Sequence, residues 1–269
     1  MMSTVRAPAV AGMFYPDDPE ELRAMVRQYL QAAHSEDGAP PKAVIAPHAG
    51  YIYSGPVAAS AYARVARGRG RIRRVVLLGP AHRVGFRGLA VSHADAFATP
   101  LGLIPVDTAT VQRLTALPQV RYLDEAHALE HSLEVHLPFL QEVLDDFTLV
   151  PLVVGEASPE EVGEVLEAVW DGPETLIVIS SDLSHYHDYE TARRLDAKTS
   201  QAIESLRPQG IYYEHACGRN PINGLLKAAR DHGLHAATID LRNSGDTAGP
   251  KDQVVGYGAY VFEEHEQAA

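Results

Sequence analysis

Three apolar runs in this chain end in histidine or aspartate. VIAPHAGYIYSG (44–55) places His48 just past the first run, and VVLLGPAHRVG (75–85) places His82 just past the second. LIVISSDLSHYHDY (176–189) places Asp182 and His185 just past the third. Neutral imidazole is the commonest metal ligand, and a carboxylate supplies charge to a hard or borderline cation. Two histidines and one carboxylate form the facial triad of non-haem Fe(II) oxygenases, which leaves positions open for substrate and O₂. In α/β sheets, catalysis collects at the carboxyl ends of strands. His48, His82, Asp182 and His185 are therefore expected at one crevice.

Other candidates are weaker. In DEAHALEHSLEVHLPFL (124–140), His127, His131 and Glu134 would share one helical face and His136 would oppose it. The spacing His131-x₄-His136 is not the HExxH of zinc proteases. His131, Glu134 and His136 are expected to support the pocket from a helix rim. No Gly-x-Ser-x-Gly elbow occurs, so a hydrolase nucleophile lacks support. Cys217 reads as a small buried residue at a loop-to-helix junction rather than a reactive thiol. The turn-rich NSGDTAG (243–249) would close the crevice with Asp246 or Thr247 facing in. His34, His232, His235 and His265 read as surface residues.

The positioning elements follow from periodicity. Helices are expected at 17–33, 55–65, 107–117, 126–144 (kinked or split into two shorter helices at Pro138), 158–170, 191–206 and 221–232. Asp17 or Asp18, Asp107 and Ser158 are the expected caps, with Glu161 completing a capping box on Ser158. Strands are expected at 43–46, 74–78, 89–92, 148–154, 175–180, 236–241 and 254–262. Apolar strands alternating with helices predict a single α/β domain over residues 1–269, a sheet covered on both faces.

Composition narrows the partners. The chain has 269 residues, 23 Lys plus Arg, 35 Asp plus Glu and a net charge of −12. This balance argues against general binding to nucleic acid or anionic membranes. The one basic cluster, ARVARGRGRIRR (63–74), reads as a solvated connection. The sequence shows no apolar run of bilayer length and no signal-peptide core at its start, so a cytoplasmic protein is expected. Thirteen histidines against one cysteine exclude an intrachain disulfide and a cysteine-rich zinc ribbon.

The ordered words RAPAVAGMFYP, APHAGYIYSGPVAASAY, LLGPAHR, EHSLEVHLPFLQ, ISSDLSHY, CGRNPI and VVGYGAY resemble the Memo family over about residues 6–262. Prokaryotic members of that family are named AmmeMemoRadiSam system protein B. The resemblance implies the fold of class III extradiol dioxygenases, one α/β domain around a mixed central β-sheet covered by helices. It implies metal ligation by His48 and His82, a pocket histidine at His185 with Asp182 beside it, and Tyr53 near the mouth. The animal protein's third ligand, a cysteine, aligns with Thr247, beside which Asp246 could restore a carboxylate ligand. Phe14 stands where the animal protein has a tryptophan. The resemblance implies a divalent metal, Fe(II) first, with Zn or Cu as alternatives, and a small phenolic or peptide ligand. A radical-SAM enzyme is the implied partner of an alternative accessory role without turnover.

Overall fold

The computed structural model describes residues 4–33 and 38–264. The predicted surface positions His34 and His265 lie outside them. Strand β1 (Val5–Arg6) leads into helix α1 (Pro19–Ala32). Asp18 caps that helix, its carboxylate accepting the N–H groups of Glu20 and Glu21 at 2.9 Å each, and Leu22 and Val26 face the core. Strand β2 (Ala43–Ala46) is fully buried. Helix α2 (Tyr51–Val65) starts four residues earlier than its small-residue pattern suggested, with Gly50 as its cap. Its interior Pro56 falls in the second turn.

Strand β3 (Arg74–Pro80) is followed by β4 (Leu89–Val91) and by a hairpin that periodicity did not reveal, β5 (Ala96–Thr99) and β6 (Gly102–Pro105). Gly102 turns that hairpin at φ 127°, a conformation only glycine adopts easily. Helix α3 (Thr108–Leu114) is capped by Asp107, and the short β7 (Val120–Tyr122) follows.

The region 126–144 splits into two shorter helices, but the break falls well before Pro138, which sits in the first turn of the second helix. The pieces are α4 (Asp124–Ala128), a 3₁₀ turn at Glu134–His136 and α5 (Leu137–Val143). The cause lies in Glu130, whose carboxylate accepts the N–H groups of His131 and Ser132 at 3.0 Å each. A side chain that satisfies nearby backbone donors competes with the helix. Leu129, placed by the periodicity on a buried stripe, is 63% exposed.

Strand β8 (Thr148–Val154) precedes α6 (Pro159–Glu167), where Ser158 and Glu161 form the predicted capping box. Then come β9 (Thr175–Ser180), β10 (His185–His187), α7 (Tyr189–Glu204) capped by Asp188, and α8 (Arg219–Asp231). The long strands β11 (Leu234–Asn243) and β12 (Val254–Glu264) close the chain.

Nine strands form one mixed sheet in the order β10-β12-β2-β9-β3-β8-β4-β7, with β11 paired to β12. The expected α/β architecture, a mixed sheet flanked by helices, is therefore present. A separate three-stranded sheet joins β1, β5 and β6. The central strands β2, β9, β3 and β8 run parallel, so their carboxyl ends share one edge. The basic cluster is a solvated connection, as expected: Arg67, Arg69, Arg71 and Arg73 are exposed, and Arg64 alone among its arginines is buried. Arg64 pairs with Glu263, Arg69 with Asp145, and Arg74 with Asp107 and Asp171. No helix among the described residues is long and apolar enough to cross a membrane.

Candidate metal centre

Strand register places the first two histidines. Ala46 of β2 sits opposite Ser180 of β9, so His48 and Asp182, each two residues further on, emerge side by side. The His48 N–H donates to Asp182 Oδ1 at 2.8 Å. His82 leaves the next strand, two residues past the end of β3. Glu130 fixes it at two points, accepting the His82 N–H on Oε2 at 2.6 Å and facing Nδ1 with Oε1 at 2.8 Å.

The third imidazole is His131, from the irregular segment after α4. One ring nitrogen from each of His48, His82 and His131 lies within 4.8 Å of the others. The rings of His82 and His131 stack at 4.7 Å, and each meets His48 edge-on at 5.1 and 5.3 Å. Phe14 packs on the His131 ring at 4.8 Å. The helix-rim expectation for His131 is thus corrected. Freed from helical geometry, the residue reaches the centre itself.

Outer partners set the tautomers. The Ser180 hydroxyl has one proton and donates it to the Ser132 carbonyl at 2.6 Å. Its 2.6 Å contact with His48 Nδ1 is therefore an N–H donated by the ring. The His48 lone pair is left on Nε2. The Glu130 carboxylate imposes the same tautomer on His82, and its Oε1 lies 3.4 Å from His131 Nδ1. Each ring thus turns Nδ1 toward a protein partner, the usual arrangement of ligand histidines, and Nε2 of His48 meets the Cys217 thiol at 3.4 Å. Gly79 permits this crowding, because a Cβ there would lie 2.6 Å from Ser132 Oγ.

The charges suit a cation. Burial holds the His48 pKa well below its ordinary value, helped by the neighbouring His82 and His131. Burial lowers His131 to about 4 against the pull of Glu130. Both rings are neutral near pH 7. Burial alone would raise the Glu130 carboxyl, but the hydrogen bonds and charge of His82 outweigh it and bring it down to about 2. Asp182 goes the other way, raised by burial despite His185 and the His48 N–H.

The predicted third ligands are placed elsewhere. Asp246 accepts from the Tyr189 hydroxyl at 2.5 Å and from the Asn243 N–H at 3.0 Å, and Thr247 Oγ1 donates to the Ser244 carbonyl at 3.3 Å. Neither is among the three converging groups. His185 is half-buried on β10, with Nδ1 2.8 Å from the Leu183 carbonyl. Tyr53, in the first turn of α2, is 37% exposed.

Glu130, Ser180 and Cys217 were not singled out for the centre from sequence. Cys217 Sγ lies 3.4 Å from His48 Nε2 and 3.9 Å from Ser181 Oγ. Burial pushes its thiol up to about 12, so it stays protonated. Cys217 also lines a cleft of about 110 Å³ with Pro80, Glu156, Tyr213, Arg219 and Asn220. No spacing rule links Cys217 to His48, because only the fold brings them together.

The donor set fits a transition metal. Its ring nitrogens lie within 4.8 Å of one another, and imidazole is a borderline donor suited to such a cation. The mixed sheet and the three converging histidines define a class, an α/β protein with an imidazole cluster able to hold a metal ion. A family model for Memo-like proteins matches residues 6–261, and the chain belongs to that family. A MEMO1 family protein of Aquifex aeolicus is 38% identical over 96% of this chain and 99% of its own length. Those of Archaeoglobus fulgidus and Saccharolobus solfataricus are 37% and 34% identical over the same shares.

Proposed function

We propose that this Memo-family protein binds one divalent metal, Fe(II), on His48, His82 and His131 and performs oxygenase-like chemistry on a small phenolic substrate. The convergence of three imidazoles, two with Nδ1 fixed by an outer partner, carries the reading. Imidazole donors also suit Zn and Cu. When bound, iron supplies open coordination positions and one-electron chemistry with O₂.

The chain's own groups handle protons. The Leu183 carbonyl can only accept, so His185 carries its proton on Nδ1 and presents Nε2 as a base. A phenolic hydroxyl near the mouth would lose its proton to that nitrogen. Asp182, its pKa raised by burial, is suited to hold a proton and return it. Tyr53 lines the mouth. The Cys217 thiol excludes water beside His48 and takes no part as a nucleophile.

A second reading rests on one observation: none of the three converging ligand groups is anionic. Fewer anionic ligands weaken Fe(II) retention. The same centre would then serve a metal- or peptide-binding accessory of a radical-SAM enzyme, without turnover. Oxygen uptake with catechol by anaerobically iron-loaded protein supports the enzyme, and its loss in His185→Ala supports the base. No uptake, together with capture of a radical-SAM enzyme under anaerobic conditions, supports the accessory role.

A further inference from the structure

Tyr186 adopts φ 61° and is 71% exposed. Left-handed backbone is uncommon outside glycine, asparagine and aspartate, and is an outlier for a bulky side chain. Nothing in the burial of this ring repays the cost. Strain of this kind persists only where the surroundings impose it, and it collects at functional sites.

The surroundings do impose it. His185 pairs with Val255 and His187 with Val254, so Tyr186 is one residue too many for its partner strand. Such a bulge re-aims side chains at the edge of a sheet. Its base is held from both sides. Leu183 N–H donates to the Gly256 carbonyl and Gly256 N–H to the Ser184 carbonyl, both at 2.8 Å. Ser184 N–H donates to the buried Asp196 at 3.0 Å. The Asp196 carboxylate fills the space a side chain at position 256 would need, since a Cβ there would lie 2.0 Å from it.

The bulge carries His185, whose charge acts on both His48 and Asp182. The Tyr186 ring meets His185 edge-on at 5.7 Å. Tyr186, Tyr53 and Asp182 all bear on the buried Tyr257 hydroxyl. From this arrangement we propose that Tyr186 is a substrate-recognising residue, its exposed ring forming the wall on which a planar aromatic substrate stacks beside His185. This inference rests on the phenolic-substrate reading above and names the residue that selects for it.

The test titrates metal-loaded wild-type protein and the Tyr186→Ala, Tyr186→Gly and Tyr186→Phe variants with catechol. The non-planar cis-1,2-cyclohexanediol is the control ligand, and metal content and thermal midpoint are measured on the same samples. Wild type should prefer catechol. Tyr186→Ala and Tyr186→Gly should weaken catechol binding by about 2- to 12-fold, the range an aromatic pair supplies. Tyr186→Phe should bind as wild type. Tyr186→Gly should melt above Tyr186→Ala, because glycine accepts the positive φ. Unchanged catechol affinity in Tyr186→Ala, or equal affinity of wild type for the two diols, overturns the role of Tyr186. Wild type without metal contradicts the metal-centre reading instead, so the two failures are separable.

Discussion

Glu130 holds His82 by two contacts at once, the backbone N–H at 2.6 Å and ring Nδ1 at 2.8 Å. The same carboxylate accepts the N–H groups of His131 and Ser132. One buried side chain thus fixes two of the three imidazoles and breaks the helix that would have carried one of them away. Glu130→Gln keeps the size but weakens the acceptor. Metal affinity should fall about 10- to 100-fold, read by competition with a chelator. Wild-type affinity in this variant would show that Glu130 shapes the loop without tuning the ligands.

Ser180 makes a parallel prediction for the third ring. Ser180→Ala removes the acceptor of His48 Nδ1–H and the donor to the Ser132 carbonyl. Metal affinity should again drop about 10- to 100-fold. The fold should lose only about 1–3 kcal/mol, the cost of unpaired buried groups. Chelator competition and urea unfolding on the same sample separate the two effects.

Acid should destabilise the metal-free protein well above the carboxylate range. Burial lowers His127 to about 4 and His136 to about 3. Their ordinary value is near 6.5, so between pH 6.5 and 4 the unfolded chain binds their protons and the folded one does not. Their contribution is present above 6.5 and is lost as pH falls. Asp196, raised by burial to about 6, opposes with one proton between 3.8 and 6. Between pH 4 and 6 these three balance at about one proton, or about 1.4 kcal/mol per pH unit. In the metal-free protein the lowered His48 and His131 steepen the fall, while the raised Asp182 opposes it. Urea midpoints should fall across this window, and His136→Phe should flatten the slope. A flat or rising profile in wild type would contradict the neutral buried histidines.

The Arg6–Glu134 pair should dominate the attachment of the N-terminal segment. Both side chains are buried, and Glu134 also accepts from the N–H groups of Ala9 and Val10 and the Tyr15 hydroxyl. Glu134→Ala leaves a buried guanidinium unpaired and should cost about 3–5 kcal/mol. The thermal midpoint reports it, and a loss under about 1 kcal/mol would show that water replaces the carboxylate.

Strand ends were legible because apolar runs stop abruptly at polar residues, which is why His48 and His82 could be picked out. The capping box at Ser158 was legible because its chemistry is local. His131 was not, because the leucines at 129, 133, 137, 140 and 144 mimic a helical stripe. Only the long-range contact of Ser132 Oγ with the Pro80 carbonyl at 2.9 Å, and the hold of Glu130 on His82, decide otherwise. Asp246 looked available in sequence, yet its carboxylate closes a local turn onto Asn243 and binds Tyr189. Short strands β5, β6 and β7 escaped because three or four residues carry too little periodicity to separate from loop.

The central claim is that His48, His82 and His131 together hold one metal ion. Elemental analysis of anaerobically purified protein tests it most directly, on wild type, His131→Ala and the His48→Ala/His82→Ala double variant. The account predicts about one transition-metal ion per wild-type chain, and less than about a tenth of that in each variant, with folding intact by circular dichroism. Equal metal content in wild type and a folded His131→Ala or double variant would contradict it.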